Sequence, residues 1–433
     1  MAWTGFGLAL GLLLAGQPTL TLEEAEKIAI DRAFNIRIAA SNVEKALQQK
    51  KQLQGNLGPR LDLTGSYTRF DERSQVGASS TGDAILGSID NKQIQASLSY
   101  PIDITGVLRK AVQAAELNRL ASEESLRSEI NDIKNIVRES YYEILRADNS
   151  LNVQQEALKN AQERLDKARQ REQAGAIAKF DVLRFETDVS RAQAAVIAAQ
   201  NRIRTAKNNL NNVLGRPIES DFSASQLPDA PSMQSTADDY VNAALRTRPD
   251  VKAADTTVQA FEKLLKTAGA GGLPSLSIGA THTYNPDPGF GGRQNQTVAN
   301  LVLTFNVFDS GITRAKVDAA KQDLEQAKIR LEQIRLAASL QVRQALVKAE
   351  NAKQTLEVAL KTVEQQREAL RLAQIRFDVG DGILLDVTDA QVALTQAQEA
   401  VITARFDYYS AYAALQKAVG ADDLQKALAG GQN

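Results

Sequence analysis

The sequence is written twice, and the manner of its repetition limits what it can build. Residues 21–68 align with 236–283 at a constant offset of 215, so RLDLTGSYT after Pro59 meets SLSIGATHT after Pro274. Residues 96–215 align with 301–420 at an offset of 205, again without a gap. There Leu98, Tyr100, Gly106, Val137, Arg138, Gly175, Asp181 and Gly215 meet Leu303, Phe305, Gly311, Val342, Arg343, Gly380, Asp386 and Gly420. The difference between the offsets falls between Arg69 and Ala96, in one surface loop. Two copies are too few for a solenoid, which stacks many short units. The expected division is a first repeat at 20–215, a linker at 216–235, a second repeat at 236–420 and a tail at 421–433.

Within each copy the pattern reads helix, strand, strand, long helix, turn, helix. The long helices are predicted at 107–174 and 312–379, neither holding a proline. At 1.5 Å per residue each measures roughly 100 Å. Leu151, Leu158 and Leu165 recur every seventh residue, and their mates are Leu356, Val363 and Leu370. Beside the first set lie Ala157, Ala161 and Ala168, small enough for close helix packing. This is the pattern of extended, coiled-coil-like pairs. Shorter helices are predicted at 22–55 and 181–214, and again at 237–270 and 386–419. Two of them laid end to end match one long helix, so each copy supplies two rods of equal length.

Four segments change to period two, at about 60–70, 93–103, 275–284 and 297–308. Leu61, Leu63, Gly65 and Tyr67 alternate with Asp62, Thr64, Ser66 and Thr68, and Leu301, Leu303, Phe305 and Val307 line one face of the last segment. One face is apolar and the other small and polar, as in a bilayer barrel with a wet lumen. Four strands cannot close a barrel, because the smallest spanning barrels have about eight. Two chains would give eight strands with a filled interior, and three give twelve with room for a lumen. The alternative for the same residues is a soluble coiled-coil scaffold or periplasmic adaptor whose short strands pack on a helix.

Composition closes off other classes. Charged residues make up 24% of the chain and cancel to a net charge of -1, which points away from nucleic acid. There is no cysteine, so disulfides, thiolate metal sites and a lipid-accepting Cys are all excluded. Residues 5–15 are continuously apolar, too short to span a bilayer and the right length for a signal-peptide core, so 1–19 is read as signal peptide and leader. The sole histidine, His282, lies in a predicted strand and reads as a barrel-wall or interface residue. No catalytic set, phosphate loop or metal spacing stands out. The chain reads as a non-enzyme without cofactor or metal.

These features together resemble the TolC-type outer-membrane efflux family. The likeness rests on LTLEEAEKIAIDRAFNIRIAA and its mate TADDYVNAALRTRPDVKAA, on the joints YPIDITG and FNVFDSG, and on the turns EQAGAIAKFDVLRFETD and FDVGDGILLDVTDAQVAL. It covers essentially all of residues 20–420. The resemblance implies a mixed α and β membrane protein: a trimeric twelve-stranded barrel in the outer membrane, continued by a long helical tunnel into the periplasm. It also implies a homotrimer in outer-membrane lipid, working with a periplasmic adaptor and an inner-membrane transporter in efflux or type I secretion.

The resemblance places a gate at the helix turns. Asp386 and Asp389 match two aspartates whose copies make acidic rings in the pore, although both also suit the first turn of a helix, as does Asp181. The tips Gly175, Ala176, Ile177, Gly380, Asp381 and Gly382 are implied to dock the adaptor, and the glycines read as turn glycines. The family's hydrogen-bonded lock uses a tyrosine, an arginine, a threonine and an aspartate. Here Phe377, Gly382 and Phe180 stand at the first three and only Asp181 remains, so that lock cannot form. Two substitutes are available: apolar contact of Phe180 with Phe377, or pairing of Arg184 with its repeat mate Asp389.

Overall fold

A computed structural model describes residues 19–71, 75–76, 84–85, 89–228, 233, 235–288 and 292–430. The expected signal peptide, part of the loop at 71–92, part of the linker and the last three residues of the tail lie outside the described residues. In chain order the elements begin with β1 (Thr19–Leu20), α1 (Leu22–Arg32), α2 (Phe34–Gly55) and β2 (Arg60–Arg69). The short strands β3 (Gln75–Val76) and β4 (Ala84–Ile85) precede β5 (Asp90–Ile102), α3 (Val107–Gln173) and α4 (Lys179–Val213). After β6 (Ser223–Ala224) the order repeats as α5 (Ala237–Thr247), α6 (Pro249–Ala268), β7 (Ser275–Tyr284), β8 (Asn295–Thr304), α7 (Ile312–Asp378) and α8 (Leu384–Val419). The chain ends in α9 (Leu424–Ala429).

Two compact units result. One comprises Ala40–Ser125 and Asp250–Ile334, the other Met1–Ala39, Leu126–Pro249 and Arg335–Asn433. The first holds a four-stranded antiparallel sheet in the order β2-β5-β7-β8. Its register keeps the apolar alternation on one face: Leu61 lies opposite Leu98, Leu98 opposite Ala280, and Leu276 opposite Leu303. A shift of one residue would turn that face inside out. β8 stops at Thr304, short of the expected strand, and leaves Phe305 and Val307 outside it and exposed. His282 sits in β7 with a ring nitrogen 2.9 Å from the Thr297 hydroxyl.

Local chemistry explains the helix ends. Thr21 and Thr236 open α1 and α5 with reciprocal capping boxes to Glu24 and Asp239. Asp103 accepts from the Leu108 and Arg109 N–H groups at the start of α3, and Asp309 does the same for Thr313 at the start of α7. The continuous helices expected at 22–55 and 237–270 are each broken instead, at Ala33 and Arg248, where ψ swings to 130° and 123°. In the second copy the cause is Pro249, since the residue before a proline is pushed out of the helical region. The first copy breaks at the same place without a proline. There the end of α4 lies close to the break: a Cβ on Gly215 would stand 3.5 Å from the Arg32 carbonyl oxygen.

The other unit has its main core where α1, α3, α4 and α8 meet, around Tyr141, Val137, Leu145, Leu210, Leu214, Phe222 and Phe406. A second core joins Tyr240, Val342, Leu415, Val419 and Leu424. β1 pairs in parallel with β6 over two residues, and the Tyr141 hydroxyl reaches the Leu20 and Ser225 carbonyls beside it. Among the described residues, no helix is long and apolar enough to cross a membrane.

Candidate gate at the helix-hairpin turns

The two helix hairpins, α3–α4 and α7–α8, end in the same backbone device. Gly175 and Gly380 adopt φ of 74° and 81°, the left-handed region that glycine enters without a Cβ clash. At each turn the next two N–H groups fold back on the helix: Gly175 to Glu172 and Ala176 to Arg171, Gly380 to Phe377 and Asp381 to Arg376. This doubly bonded stop satisfies carbonyls that the helix end would leave bare. Gly382 serves a different need. A Cβ there would lie 3.1 Å from both the Arg376 Cβ and the Phe377 nitrogen, so the chain needs glycine for close approach.

Behind the turns lie two small cores that are repeat copies. Leu165, Ala168, Val182 and Phe185 pack in the first hairpin, and Leu370, Val387 and Leu394 in the second. They differ in side-chain size at Phe185 with its mate Ala390 and at Val189 with its mate Leu394; Phe185 is buried in the first core, while Phe377 and Ala390 pack against the second. Phe377 is thus a half-buried packing residue of its own hairpin, while Phe180 projects from the turn 68% exposed. Among the described residues no ring contact joins them, and no ion pair joins Arg184 to Asp389.

What the chain does place across the hairpins is Arg171. Its guanidinium lies 4.7 Å above the Phe377 ring and 3.6 Å from the Asp378 carboxylate. Its repeat mate Arg376 stays on its own hairpin and meets Asp381 at 3.4 Å. Arg171, Asp181, Arg184, Phe185, Phe377 and Ile383 contribute to a groove of about 560 Å³. Sequence reading missed Arg171 and Phe185. The unequal repeat pair Phe185 and Ala390 was the available signal, since a large residue opposite a small one asks what fills the difference.

The three aspartates divide. Asp181 folds back so that its carboxylate accepts the Ala178 N–H at 3.3 Å, which is a capping role at the start of α4. Asp386 and Asp389 are exposed on the first turns of α8, and among the described residues neither carboxylate has a hydrogen bond or ion pair. No group of three or more His, Asp or Glu among the described residues could hold a metal ion.

A duplicated helical hairpin carrying a barrel-patterned sheet defines a class of outer-membrane channel, and comparison gives the family. The profile of the outer membrane efflux protein family matches residues 27–216 and 240–421, and the chain belongs to that family. It is 26% identical over 392 residues to the probable efflux pump outer membrane protein TtgC of Pseudomonas putida, covering 89% of this chain and 80% of that protein. A nodulation protein T of Rhizobium leguminosarum bv. trifolii is also 26% identical over 401 residues, covering 90% of this chain and 83% of its own. The solved outer membrane protein VceC of Vibrio cholerae shares the fold with a TM-score of 0.76 at 19% identity, covering 92% of this chain and 96% of that one. The protein is an outer-membrane efflux channel of mixed α and β structure. The scaffold and adaptor alternatives are set aside.

Proposed function

We propose that the chain is the exit duct of a tripartite efflux or type I secretion system. In this reading three copies close a twelve-stranded barrel in outer-membrane lipid and continue it as a periplasmic helical tunnel. A periplasmic adaptor and an inner-membrane transporter deliver substrate into it. In this reading the described parts of the linker and of the C-terminal tail lie around the tunnel's equator. One observation carries the reading: a four-stranded sheet with two open edges and an exposed apolar face. Four strands enclose nothing, eight enclose only side chains, and twelve leave a passage.

The hairpin turns form the gate. Asp386 and Asp389 from three copies make acidic rings, whose unpaired carboxylates draw cations to the opening, while Asp181 mainly caps its helix. Gly175, Ala176, Ile177, Gly380, Asp381 and Gly382 form the tips that the adaptor grips. Closure within each chain rests on Arg171 against Phe377 and Asp378. Phe180 is free to contact a neighbouring copy, and Arg184 adds a minor charged contact. An exposed ion pair and a surface cation–π contact are each worth about 0.5–1 kcal/mol, so three copies hold the gate by a few kcal/mol in total.

Recording single channels in planar bilayers tests this. Asp386→Ala with Asp389→Ala is expected to abolish block by multivalent cations from the tip side. Arg171→Ala, and separately Phe180→Ala with Phe377→Ala, are expected to raise conductance. The Arg171→Ala effect shrinks at high salt, where its Asp378 pair is already screened. A monomer of native helix content in detergent would overturn the duct, and an unchanged block would overturn the acidic rings.

A further inference from the structure

Behind the hairpin turns, one arginine is withdrawn from water without an acid beside it. Arg164 on α3 is half-buried, and its Nε is sealed from solvent with no hydrogen-bond partner. Its Nη1 reaches the Gln391 Oε1 at 3.4 Å, and among the described residues Arg164 forms no ion pair. Gln391 is only 8% exposed and is the repeat mate of Glu186. The second copy therefore presents an amide where the first has a carboxylate, which pairs with Arg169 at 2.9 Å. Burial pushes the Arg164 pKa down, against the pull of Asp188 and Glu163. A desolvated cation without a counter-charge is costly, so the position is primed to take an anion.

Two cavities adjoin at this side chain. A polar cavity of about 240 Å³ between α3, α7 and α8 shares Arg164, Lys167 and Gln374 with the groove of about 560 Å³. The groove lies within the roughly 300–1,000 Å³ of small-molecule sites. Its apolar wall comes from both hairpins and includes Ile177, Phe185, Phe377, Ile383 and Leu385. Ile383 and Leu385 remain 61% and 40% exposed. The charge of the groove is uneven. Arg164, Lys167, Arg171 and Arg184 line it against two acids, Asp181 and Asp378. Both acids are engaged, Asp181 at the Ala178 N–H and Asp378 with Arg171. Glu156 and Glu163 line the polar cavity, but both are exposed to water, where salt screens their repulsion.

We infer that the groove binds an amphipathic monoanion, its carboxylate or sulfonate on Arg164 and Lys167 and its apolar body along Phe185 and Phe377. The anion supplies the charge that Gln391 lacks, and the body covers apolar wall that the chain leaves open. Such a ligand touches both hairpins at once and so ties α3–α4 to α7–α8. Binding rests on the site alone; only its effect on conductance rests on the gate reading above.

Naphthalene-2-sulfonate, a water-soluble member of this class, is titrated by calorimetry into the full-length protein in nonionic detergent. One saturable site per chain is expected. Naphthalen-2-ylmethylammonium, with the same rings and the opposite charge, is expected to show no saturable binding. Arg164→Gln removes the guanidinium and is expected to weaken sulfonate binding about tenfold or more, as loss of a charge-assisted hydrogen bond does. Gln391→Glu leaves the arginine in place but gives it an internal carboxylate, and is expected to weaken binding to a similar degree. Arg164→Lys keeps the charge and is expected to cost only a few-fold. Helix content is measured for each variant, and any that misfolds leaves the decision to the wild-type comparison of sulfonate with ammonium. No saturable sulfonate binding, equal binding of the two probes, or undiminished binding to a folded Gln391→Glu each overturns the site. Added on the tip side of a planar bilayer, the sulfonate is expected to lower the conductance of the wild type and not of Gln391→Glu. Saturable binding with unchanged conductance overturns the gate reading and leaves the site standing.

Discussion

Arg138 and Arg343 hold the same place in the two repeats and live in different surroundings. Arg138 donates to Glu26 at 2.6 Å, to Gln416 at 2.9 Å and to Asp422 at 2.8 Å, with its side chain 11% exposed. Arg343 meets Asp238 at 2.7 Å, with its side chain 55% exposed. The mates of Arg138's partners explain the contrast: Glu26 corresponds to Val241 and Gln416 to Asn211, while Asp422 lies in the tail, beyond the repeat. Backbone ladders survived the duplication because a strand register needs alternation and no particular side chain. The polar network did not survive, because every member of it is a side chain. Burial weakens the positive charge on Arg138, but Glu26 and Asp422 outweigh burial and raise its pKa.

The comparison predicts unequal costs. Arg138→Met leaves Glu26, whose side chain is 15% exposed, without its partner while Asp422 keeps Lys134, and leaving a largely buried carboxylate unpaired costs about 2–4 kcal/mol. Arg343→Met removes an exposed pair worth at most about 0.5–1 kcal/mol. Thermal unfolding followed by helical circular dichroism is expected to show a drop of several degrees for the first and a degree or two for the second. Equal drops would mean that burial of the network contributes nothing.

The next contrast is Tyr141, whose repeat mate is Leu346. Tyr141 is fully buried, and its hydroxyl lies 2.8 Å from the Leu20 carbonyl and 2.9 Å from that of Ser225. Burial pushes that hydroxyl up to about 12, so it is a neutral donor over the whole physiological range. Tyr141→Phe keeps the ring and removes the hydroxyl from the Ser225 carbonyl and from the Leu20 carbonyl, which keeps the Ser225 N–H, at a cost of about 1–2 kcal/mol. Hydrogen exchange is expected to rise at Ser225, whose N–H donates to Leu20. Unchanged exchange there would show that β1 and β6 hold each other without the tyrosine.

How much of this was legible in the sequence follows from what each feature depends on. The four sheet strands and the helices α3 and α7 repeat a period over many residues, so pattern alone located them. The breaks at Ala33 and Arg248 escaped because only the second has a proline to announce it. β1 and β6 are two residues long and carry no period. At the gate, glycine at 175 and 380 was readable from turn chemistry. The position of Arg171 over Phe377 was not, because it depends on how two hairpins lie side by side. Phe180 and Phe377 looked equivalent as two aromatics near two turns, and only packing separates them.

The smallest expected effect comes from a charge cluster in the sheet-bearing unit that the second repeat lacks. Glu116 meets Lys50 at 2.8 Å and Arg119 at 2.9 Å, and Arg119 also pairs with Glu123. The mates of Lys50 and Arg119 are Leu265 and Leu324, so the second copy fills the same places with apolar side chains. Hydrogen bonds from Arg119 and then Lys50 hold the Glu116 carboxyl down at about 2, against burial, which pushes it up. A folded pKa below the unfolded one means that the contribution is complete above about pH 4.3 and is lost as pH falls toward 2. Glu116 is about one third exposed, so solvent screening cuts the contribution to about 0.5–1 kcal/mol. Glu116→Gln is therefore expected to lower the melting temperature by a degree or two at pH 7 and by less at pH 3. Lys50→Leu with Glu116→Gln and Arg119→Leu brings in the second copy's two leucines and removes the charge at 116, where the second copy has Lys321, and exchanging an ion pair for apolar contact is often neutral. That triple variant is expected to melt near the wild type at pH 7 while losing part of its acid sensitivity. If it melts well below Glu116→Gln alone, the ion cluster stabilises the first copy more than apolar packing would. The two repeats would then differ by selection at this site and not by drift between equivalent solutions.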